Sequence, residues 1–402
     1  MEEFINLSEI KIISNNLNNN YPKINVLLTN GWDRIAYNIL RGLSKQGLSV
    51  VFGTDNYLGM GYYSKYVSAK FIHHNYKKSE KEFIDDVVSA IEKYRPSVYI
   101  PTGEEIFTVS RNRKRIEGTG IRLVVSDIDI LETLNNKVLS FRVAEKAGIP
   151  VPKTIIPNNL DDIYSFIRMV DLPVIIKKNW SRSAQHVIKI TENNFNKIEE
   201  LISNYKLKYG SFIIQQFVEG KTYGVSLLMN KGKPRAIFTH KRLREKIFSG
   251  GPSTLRISTK NPQLENYAVK LLESVNFHGV AMVEFKYNEQ TGEAWFIEVN
   301  PRFWGSVGLA INSGVNFPHL LYKMALDGDV QPIDSYKEGV VVEWWLGDKI
   351  AFFNNILKGR LTNNSFSFNK RVDYYDDFYK DDPLPFFAWI YLLARRKFVK
   401  LK

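Results

Sequence analysis

The residues with the clearest chemical potential lie in WFIEVNPRFWGS (295–306), where Glu298, Asn300 and Arg302 interrupt an apolar run. Alternation places Phe296, Glu298 and Asn300 on one face of a strand and Trp295, Ile297 and Val299 on the other. A polar stripe in so apolar a strand needs partners or a ligand. The companion strand is legible just upstream. GVAMVEFKYNEQTGEAWFIEVNPR (279–302) reads as a hairpin: an apolar strand, the polar turn NEQTGE and a second apolar strand. Glu284 and Glu298 each stand seven residues from Thr291 and so fall nearly opposite one another. Facing carboxylates repel, and burial raises that cost unless a cation sits between them. Oxygen donors from two acids and an amide suit Mg²⁺ or Mn²⁺. The planar fork of Arg302 suits a phosphate or a carboxylate. A structural bridge, with Lys286 or Arg302 as the counter-charge, satisfies the same pattern without a metal.

Other chemistries find less support. The chain has no cysteine, which excludes disulfides, thiolate metal sites and cysteine nucleophiles. The histidines show no metal-ligand spacing and no HExxH, and no Ser/His/Asp order stands out. His240 reads as structural or as a polar contact near the site, and Trp344-Trp345 as core. A net charge of +13 is compatible with phosphates, anionic substrates or an acidic membrane face, and equally with a lysine-rich composition. The cluster RNRKR (111–115) resembles a solvated helix face more than a nucleic-acid groove, so no nucleic-acid partner is expected.

The elements that must position these residues follow from periodicity. At 402 residues, 44% hydrophobic and 24% charged, the chain has the composition of an ordinary globular protein with several domains. INVLLTN, SVVFGTD (49–55), SVYIPTG (97–103) and IRLVVSD (121–127) read as strands alternating with helices over 34–45 and 80–94. That alternation predicts an α/β unit with a parallel sheet, Rossmann-like, although TNGWDR lacks GxGxxG and disfavours a dinucleotide. Glu104 and Glu105, just past a strand end, are placed to meet a ligand or to lie as loop acids. NNKVLSFRVAEKAGIPVPKTI (135–155) reads as a helix and connector, LPVIIKKNW (172–180), SFIIQQFVEG (211–220) and TYGVSLLMN (222–230) as strands, and 262–275 as a helix. KRLREKIFSGGPST (241–254) reads as a polar loop, with Gly250 and Gly251 as hinges.

The order of these blocks resembles the ATP-grasp superfamily, in particular ligases similar to the large subunit of carbamoyl phosphate synthase. The resemblance spans roughly 24–325, and its most specific block is GVAMVEFKYN…TGEAWFIEVNPRFWGS. It implies a Rossmann-like pre-grasp domain over 23–130, two α+β subdomains over 131–212 and 213–330, a C-terminal extension over 331–402 and an irregular lead-in over 1–22. It implies ATP and Mg²⁺ (or Mn²⁺) as cofactors, with Glu284, Glu298 and Asn300 as metal ligands. Arg302 then steadies the phosphate or acyl phosphate, Lys177 and Lys137 contact ATP phosphates, and Gln216, Phe217 and Val218 form the adenine hinge. Two departures stand out: Gln216 occupies a position where the family has an acid, and residues 181–186 (SRSAQH) replace a glycine-rich lid.

The expected function is an ATP-dependent carboxylate–amine (or thiol) ligase acting on small molecules such as amino acids. Bicarbonate activation and a catalytically silent nucleotide-binding module at a membrane surface are the alternatives. Arg244 and Arg256 are candidates for the substrate carboxylate, or else form surface ion pairs. In DDPLPFFAWIYLLARRKFVKLK, Asp382 reads as an N-cap and Pro383 as the first helical residue. The apolar run 386–394 is too short to span a bilayer, and the basic end 395–402 suits either anionic lipid or a helix packed on the core. The N-terminal composition argues against a secretory signal, so a cytoplasmic location is expected, and a homo-oligomer is compatible with the sequence.

Overall fold

A computed structural model describes residues 23–179, 187–245, 251–357 and 371–399. The lead-in 1–22, the lid-loop positions 181–186, the hinge Gly250 and the last basic residues 400–402 lie outside the described residues.

Short, continuously apolar strands form the first layer. β1 (Val26–Thr29), β2 (Val50–Thr54), β3 (Ala69–Ile72), β4 (Val98–Pro101) and β5 (Arg122–Leu123) make a parallel sheet ordered β3-β2-β1-β4-β5. Helices α1 (Arg34–Ser44), α2 (Glu80–Tyr94), α3 (Glu105–Arg111) and α4 (Arg113–Glu117) connect them. Strands buried on both faces require such uniform hydrophobicity, and β1, β2 and β4 are buried throughout. The order in which strands are added reverses between β1 and β4, so the loops after these two parallel strands open on a crevice. Asp33 caps α1 by accepting from the Ile35 and Ala36 amides at 2.9 and 3.2 Å, which fixes the loop after β1 at the crevice. The arginines of 111–115 form surface pairs, Arg111 with Glu80 and Glu132, Arg113 with Asp127 and Arg115 with Asp85.

Helices α5 (Ile128–Asn135) and α6 (Lys137–Lys146) lead to a small antiparallel sheet. Its strands are β6 (Thr154–Ile155), β7 (Val174–Lys178), β8 (Ile188–Ile190) and β9 (Phe212–Gln216), with helices α7 (Leu160–Val170), α8 (Glu192–Phe195) and α9 (Ile198–Tyr209), in the order β6-β9-β7-β8. Gly220 follows β9 at φ +136°, and a Cβ there would fall 2.7 Å from the Tyr287 backbone, so this turn requires glycine.

The third sheet is the largest. β10 (Lys221–Asn230), β11 (Lys233–Glu245), β12 (Ser253–Thr259), α10 (Pro262–Ser274), β13 (Gly279–Tyr287) and β14 (Ala294–Asn300) are followed by α11 (Val307–Asn312) and α12 (Phe317–Asp327). Then come β15 (Val341–Glu343), α13 (Trp345–Leu357), β16 (Tyr374–Tyr375) and α14 (Leu384–Val399), and the sheet order is β14-β13-β10-β11-β12-β15-β16. The expected polar loop over 241–254 is not borne out at its ends: β11 runs to Glu245 and β12 begins at Ser253, so most of the described residues of that segment are sheet. Alternating Lys241-Arg242-Leu243-Arg244 has the period of a strand, but its charge hides this when hydrophobicity is the guide. The segment beyond 331 contributes β15 and β16 to the same sheet. Asp382 does not act as a side-chain cap of α14. It accepts instead from Tyr37 Oη at 3.0 Å, Ser64 Oγ at 2.5 Å and the Lys65 amide at 3.1 Å, which ties the start of α14 to the first layer.

Candidate active site

The two acids singled out by spacing face each other: Glu284 pairs with Glu298 in the β13–β14 ladder, and Asn300 with Met282. The strand is not regular, however. The register slips between Glu284 and Phe285, so Phe285 pairs with Phe296 and Ile297 becomes the extra residue of a bulge. The slip breaks the alternation read from sequence. Phe296 and Val299 point into the core with Phe285 and Phe141, while Ile297, Glu298 and Asn300 line the cleft. Phe296 therefore does not share a face with the acid and the amide. The bulge allows both an aromatic anchor and the polar pair to come from one strand.

Three other elements bring cations to these acids. Lys137 opens α6, whose cap Asn136 accepts from the Val138 and Leu139 amides. Its Nζ lies 3.1 Å from Glu298 Oε2. Arg242, on β11, reaches Glu284 Oε1 at 2.5 Å. Lys177, the last residue but one of β7, donates to Gln215 Oε1 at 2.7 Å, and Gln215 donates in turn to Thr154 Oγ1 at 2.8 Å. Arg302 donates to Asn300 Oδ1 at 2.9 Å and lies 3.8 Å from Glu104 Oε1. The ion bridge weighed from sequence thus exists with different partners. Arg242 and Lys137 hold the acids, not Lys286 or Arg302.

The same burial shifts the titration of these groups. Burial, with the neighbouring Lys137 charge, brings the Lys177 ammonium down to about 7. Burial raises the Glu284 carboxyl to about 7, with Arg242 opposing and the Glu298 charge adding to the rise. Burial also opposes ionisation of Glu298, but the Lys137 contact, with Lys177 and Arg242, holds it below the usual carboxylate range. Glu284 is thus a buried acid whose desolvation outweighs its pairing with Arg242. Two carboxylates and an amide oxygen within one cleft match the donor set of a hard divalent cation. Asn300 Nδ2 lies 3.3 Å from Glu284 Oε1, which keeps these donors together. Among the described residues no group of three or more His, Cys, Asp or Glu could hold a metal.

The cleft has a volume of about 1110 Å³ and is lined from all three sheets. Gln216, Phe217 and Val218 line it where β9 ends. The Phe217 amide donates to Pro173 O at 3.3 Å, and Lys189 Nζ stands 3.6 Å from the Phe217 ring. It is Gln215, one residue before the expected position, whose side chain touches Lys177. On the opposite wall, Asn30, Trp32, Asp33, Asp55, Asn56, Gly103 and Glu104 follow the strand ends of the parallel sheet. Glu104 faces the cleft, whereas Glu105 is fully buried beneath it. Glu105 Oε1 accepts from the Thr102 and Gly103 amides at 2.7 and 3.1 Å and from Thr29 Oγ1 at 3.1 Å, and burial raises its carboxyl to about 7.

Arg244 and Arg256 do not form surface ion pairs. Arg244 pairs with Asp348 at 2.8 Å and Glu343 at 3.7 Å, both buried acids. Arg256 is completely buried, binds Asp376, and donates to Ser253 O at 2.9 Å. Asp376 also accepts from Arg34 at 2.8 Å, and Arg34 reaches the Gly305 carbonyl and lies 4.4 Å above the Trp344 ring. Trp344 therefore walls the cleft under a guanidinium rather than filling a plain apolar core. His240 is buried with Nε2 3.2 Å from Ser306 Oγ, and burial keeps its imidazole well below the usual value. The Nε atoms of Arg242 and Arg256 and the Trp304 indole nitrogen are buried without a partner, and all three side chains line the cleft. Sequence reading missed Arg242, Arg34 and Asp376. The strand period of KRLRE was the available signal for the first, and no local pattern marks the other two.

A fold of this kind brings acids, an amide and cations together between its sheets. Residues 134–306 match the ATP-grasp domain family. The chain is 26% identical over 202 residues to acetyl-CoA carboxylase 1 of Oryza sativa subsp. japonica, covering 43% of this chain and 9% of that protein. It is 22% identical over 243 residues to the carbamoyl phosphate synthase large chain of Methanothermobacter thermautotrophicus, covering 56% of this chain and 22% of that protein. The chain thus spans less than a quarter of the length of either relative. Biotin carboxylase from Campylobacter jejuni, solved as a β,γ-ATP complex, superposes with a TM-score of 0.63 at 16% identity, covering 79% of this chain and 74% of that one. This likeness supports the α/β architecture with its grasp fold.

Proposed function

We propose that this chain is an ATP- and Mg²⁺-dependent ligase that activates a small-molecule carboxylate as an acyl phosphate and passes the acyl group to an amine or thiol. The observation that carries the reading is the in-register Glu284–Glu298 pair with Asn300, ringed by Lys137, Lys177, Arg242 and Arg302 in one cleft. Glu284, Glu298 and Asn300 would hold the cation, which when bound supplies charge neutralisation at the phosphate oxygens. Lys177 and Lys137 bind phosphate, and Gln216, Phe217 and Val218 offer the slot for the adenine ring. Arg302 holds the acyl phosphate by its planar fork, steadied by Asn300. The carboxylate oxygen takes the γ-phosphoryl group as ADP leaves, and the nucleophile then displaces phosphate.

A second reading, bicarbonate as the activated acid, is favoured by the sequence likeness to acetyl-CoA carboxylase 1 and the carbamoyl phosphate synthase large chain. One assay separates the two and tests both. ADP release is followed with MgATP and a panel of amino acids, or with bicarbonate, each with and without hydroxylamine to trap acyl phosphate. The expected result is carboxylate-dependent ADP release with hydroxamate formation. ADP release with bicarbonate alone favours the second reading, and release with no acid at all defeats both.

The titration of Lys177 gives a further expectation. In the free cleft its ammonium is half-neutral near pH 7, and phosphate restores the charge. Binding of metal-free ADP should therefore take up a proton above pH 7, and affinity should fall as pH rises from 7 to 9. Calorimetry in two buffers of different ionisation enthalpy reads the uptake, and Lys177→Met should abolish both the uptake and the pH trend.

A further inference from the structure

Helix α14 is apolar on two faces. Phe386, Trp389 and Leu392 are buried against the body, with Trp389 5.7 Å from Trp32 and Phe386 5.6 Å from Trp345. The other face, at spacing i, i+3, i+6 and i+7, is Leu384, Phe387, Ile390 and Tyr391, which are 61, 58, 38 and 59% exposed. Four large apolar side chains in one solvent-facing helical stripe form a patch rather than scattered exposure. The stripe ends on exposed Arg395, and the sequence runs on as RKFVKLK. Helix α13 repeats the pattern: Phe353, Ile356 and Leu357 are exposed, and KGR follows in sequence.

Three acids near the start of α14, Asp376, Asp377 and Asp382, are buried, and the exposed Asp381 is paired with Arg41. Asp376 binds Arg34 and Arg256, and Asp377 accepts from the Trp345 and Leu346 amides at 3.0 and 2.9 Å. Asp381 binds Arg41 and Tyr66, and Asp382 binds Tyr37 and Ser64. The apolar stripe is therefore accompanied by exposed Arg395 and by a following sequence, RKFVKLK, that holds four cations and no acid, while each of these four aspartates already has a partner. A second copy of the same face would bring like charges together on a chain of net charge +13. An anionic lipid surface satisfies both features, since apolar side chains enter the headgroup boundary and cations remain at the phosphate level. No helix among the described residues is long and apolar enough to cross a membrane, so the geometry is that of a helix lying on the surface.

We propose that the exposed face of α14, extended by the end of α13, seats this protein on an anionic bilayer. The same helix carries Trp389 into the cleft wall, which links the seated surface to the site.

The test is co-sedimentation of the full chain with vesicles of phosphatidylcholine alone, or with about a third phosphatidylglycerol. The expected result is binding to the anionic vesicles at least about tenfold tighter than to the neutral ones, weakening as salt is raised. The double variant Phe387→Ser with Tyr391→Ser should weaken it by about tenfold or more, with an unchanged melting curve. Binding equal on both lipids, or absent from both, overturns the proposal. A wild-type mass by light scattering twice that of the variant also overturns it, in favour of a second copy. Should the variant misfold, the lipid and salt comparisons on the wild type decide the matter alone.

Discussion

Glu298→Gln is expected to lower carboxylate-dependent ADP release by about 10³-fold or more while leaving the melting curve nearly unchanged. Glu298 faces Glu284 across the ladder and is ionised in the cleft, held so by Lys137 at 3.1 Å. Glutamine keeps the shape and one acceptor oxygen but removes the charge a divalent cation requires. Lys137 loses its ion pair, yet an amide oxygen can still accept from it and the repulsion with Glu284 falls away, so the stability cost is small. Metal titration at fixed nucleotide distinguishes the cause: the variant should need far more Mg²⁺ for whatever activity remains. Activity within tenfold of the parent would remove the metal role of this strand.

The largest effect on stability belongs to Asp376→Asn, expected to cost roughly 3–5 kcal/mol. The Asp376 carboxylate is fully buried between Arg34 of α1 and Arg256 of β12. Removing its charge strands two guanidiniums in a site where desolvation is already severe. Burial drives the Arg256 guanidinium well below its normal value, with Arg34 adding repulsion. Apolar replacement of all three residues together should recover most of the loss, because no buried charge is then left unpaired. Denaturation followed by tryptophan fluorescence checks this, since Trp344 lies under Arg34. A loss below about 1 kcal/mol would show that the three-residue bridge is not a strut.

Some of this was plain in the chain itself. The alternation of apolar strands with helices at Glu80–Tyr94 and Lys137–Lys146 determined a parallel sheet followed by a second unit. Local burial dominates in such segments, so period alone identifies them. The hairpin and the facing of Glu284 and Glu298 also followed from counting residues about one turn. The polar segment around Arg242 was not legible as sheet, because its strand faces a cleft and trades hydrophobicity for charge.

What the sequence determined by itself, then, is the set of elements and the meeting of two acids across one turn, since both depend on contacts between near neighbours. The tertiary structure alone decided which cation each acid meets. Arg242 comes from 42 residues before Glu284, and Lys137 from 161 before Glu298. It alone also decided that a bulge sends Phe296 inward and Glu298 outward, because the slip depends on packing against Phe285 and Phe141. The Arg34–Asp376 bridge joins residues 342 apart, and no spacing rule reaches that far. Charges separated so widely in the chain find each other only after the sheets close, when burial makes leaving any of them unpaired too costly.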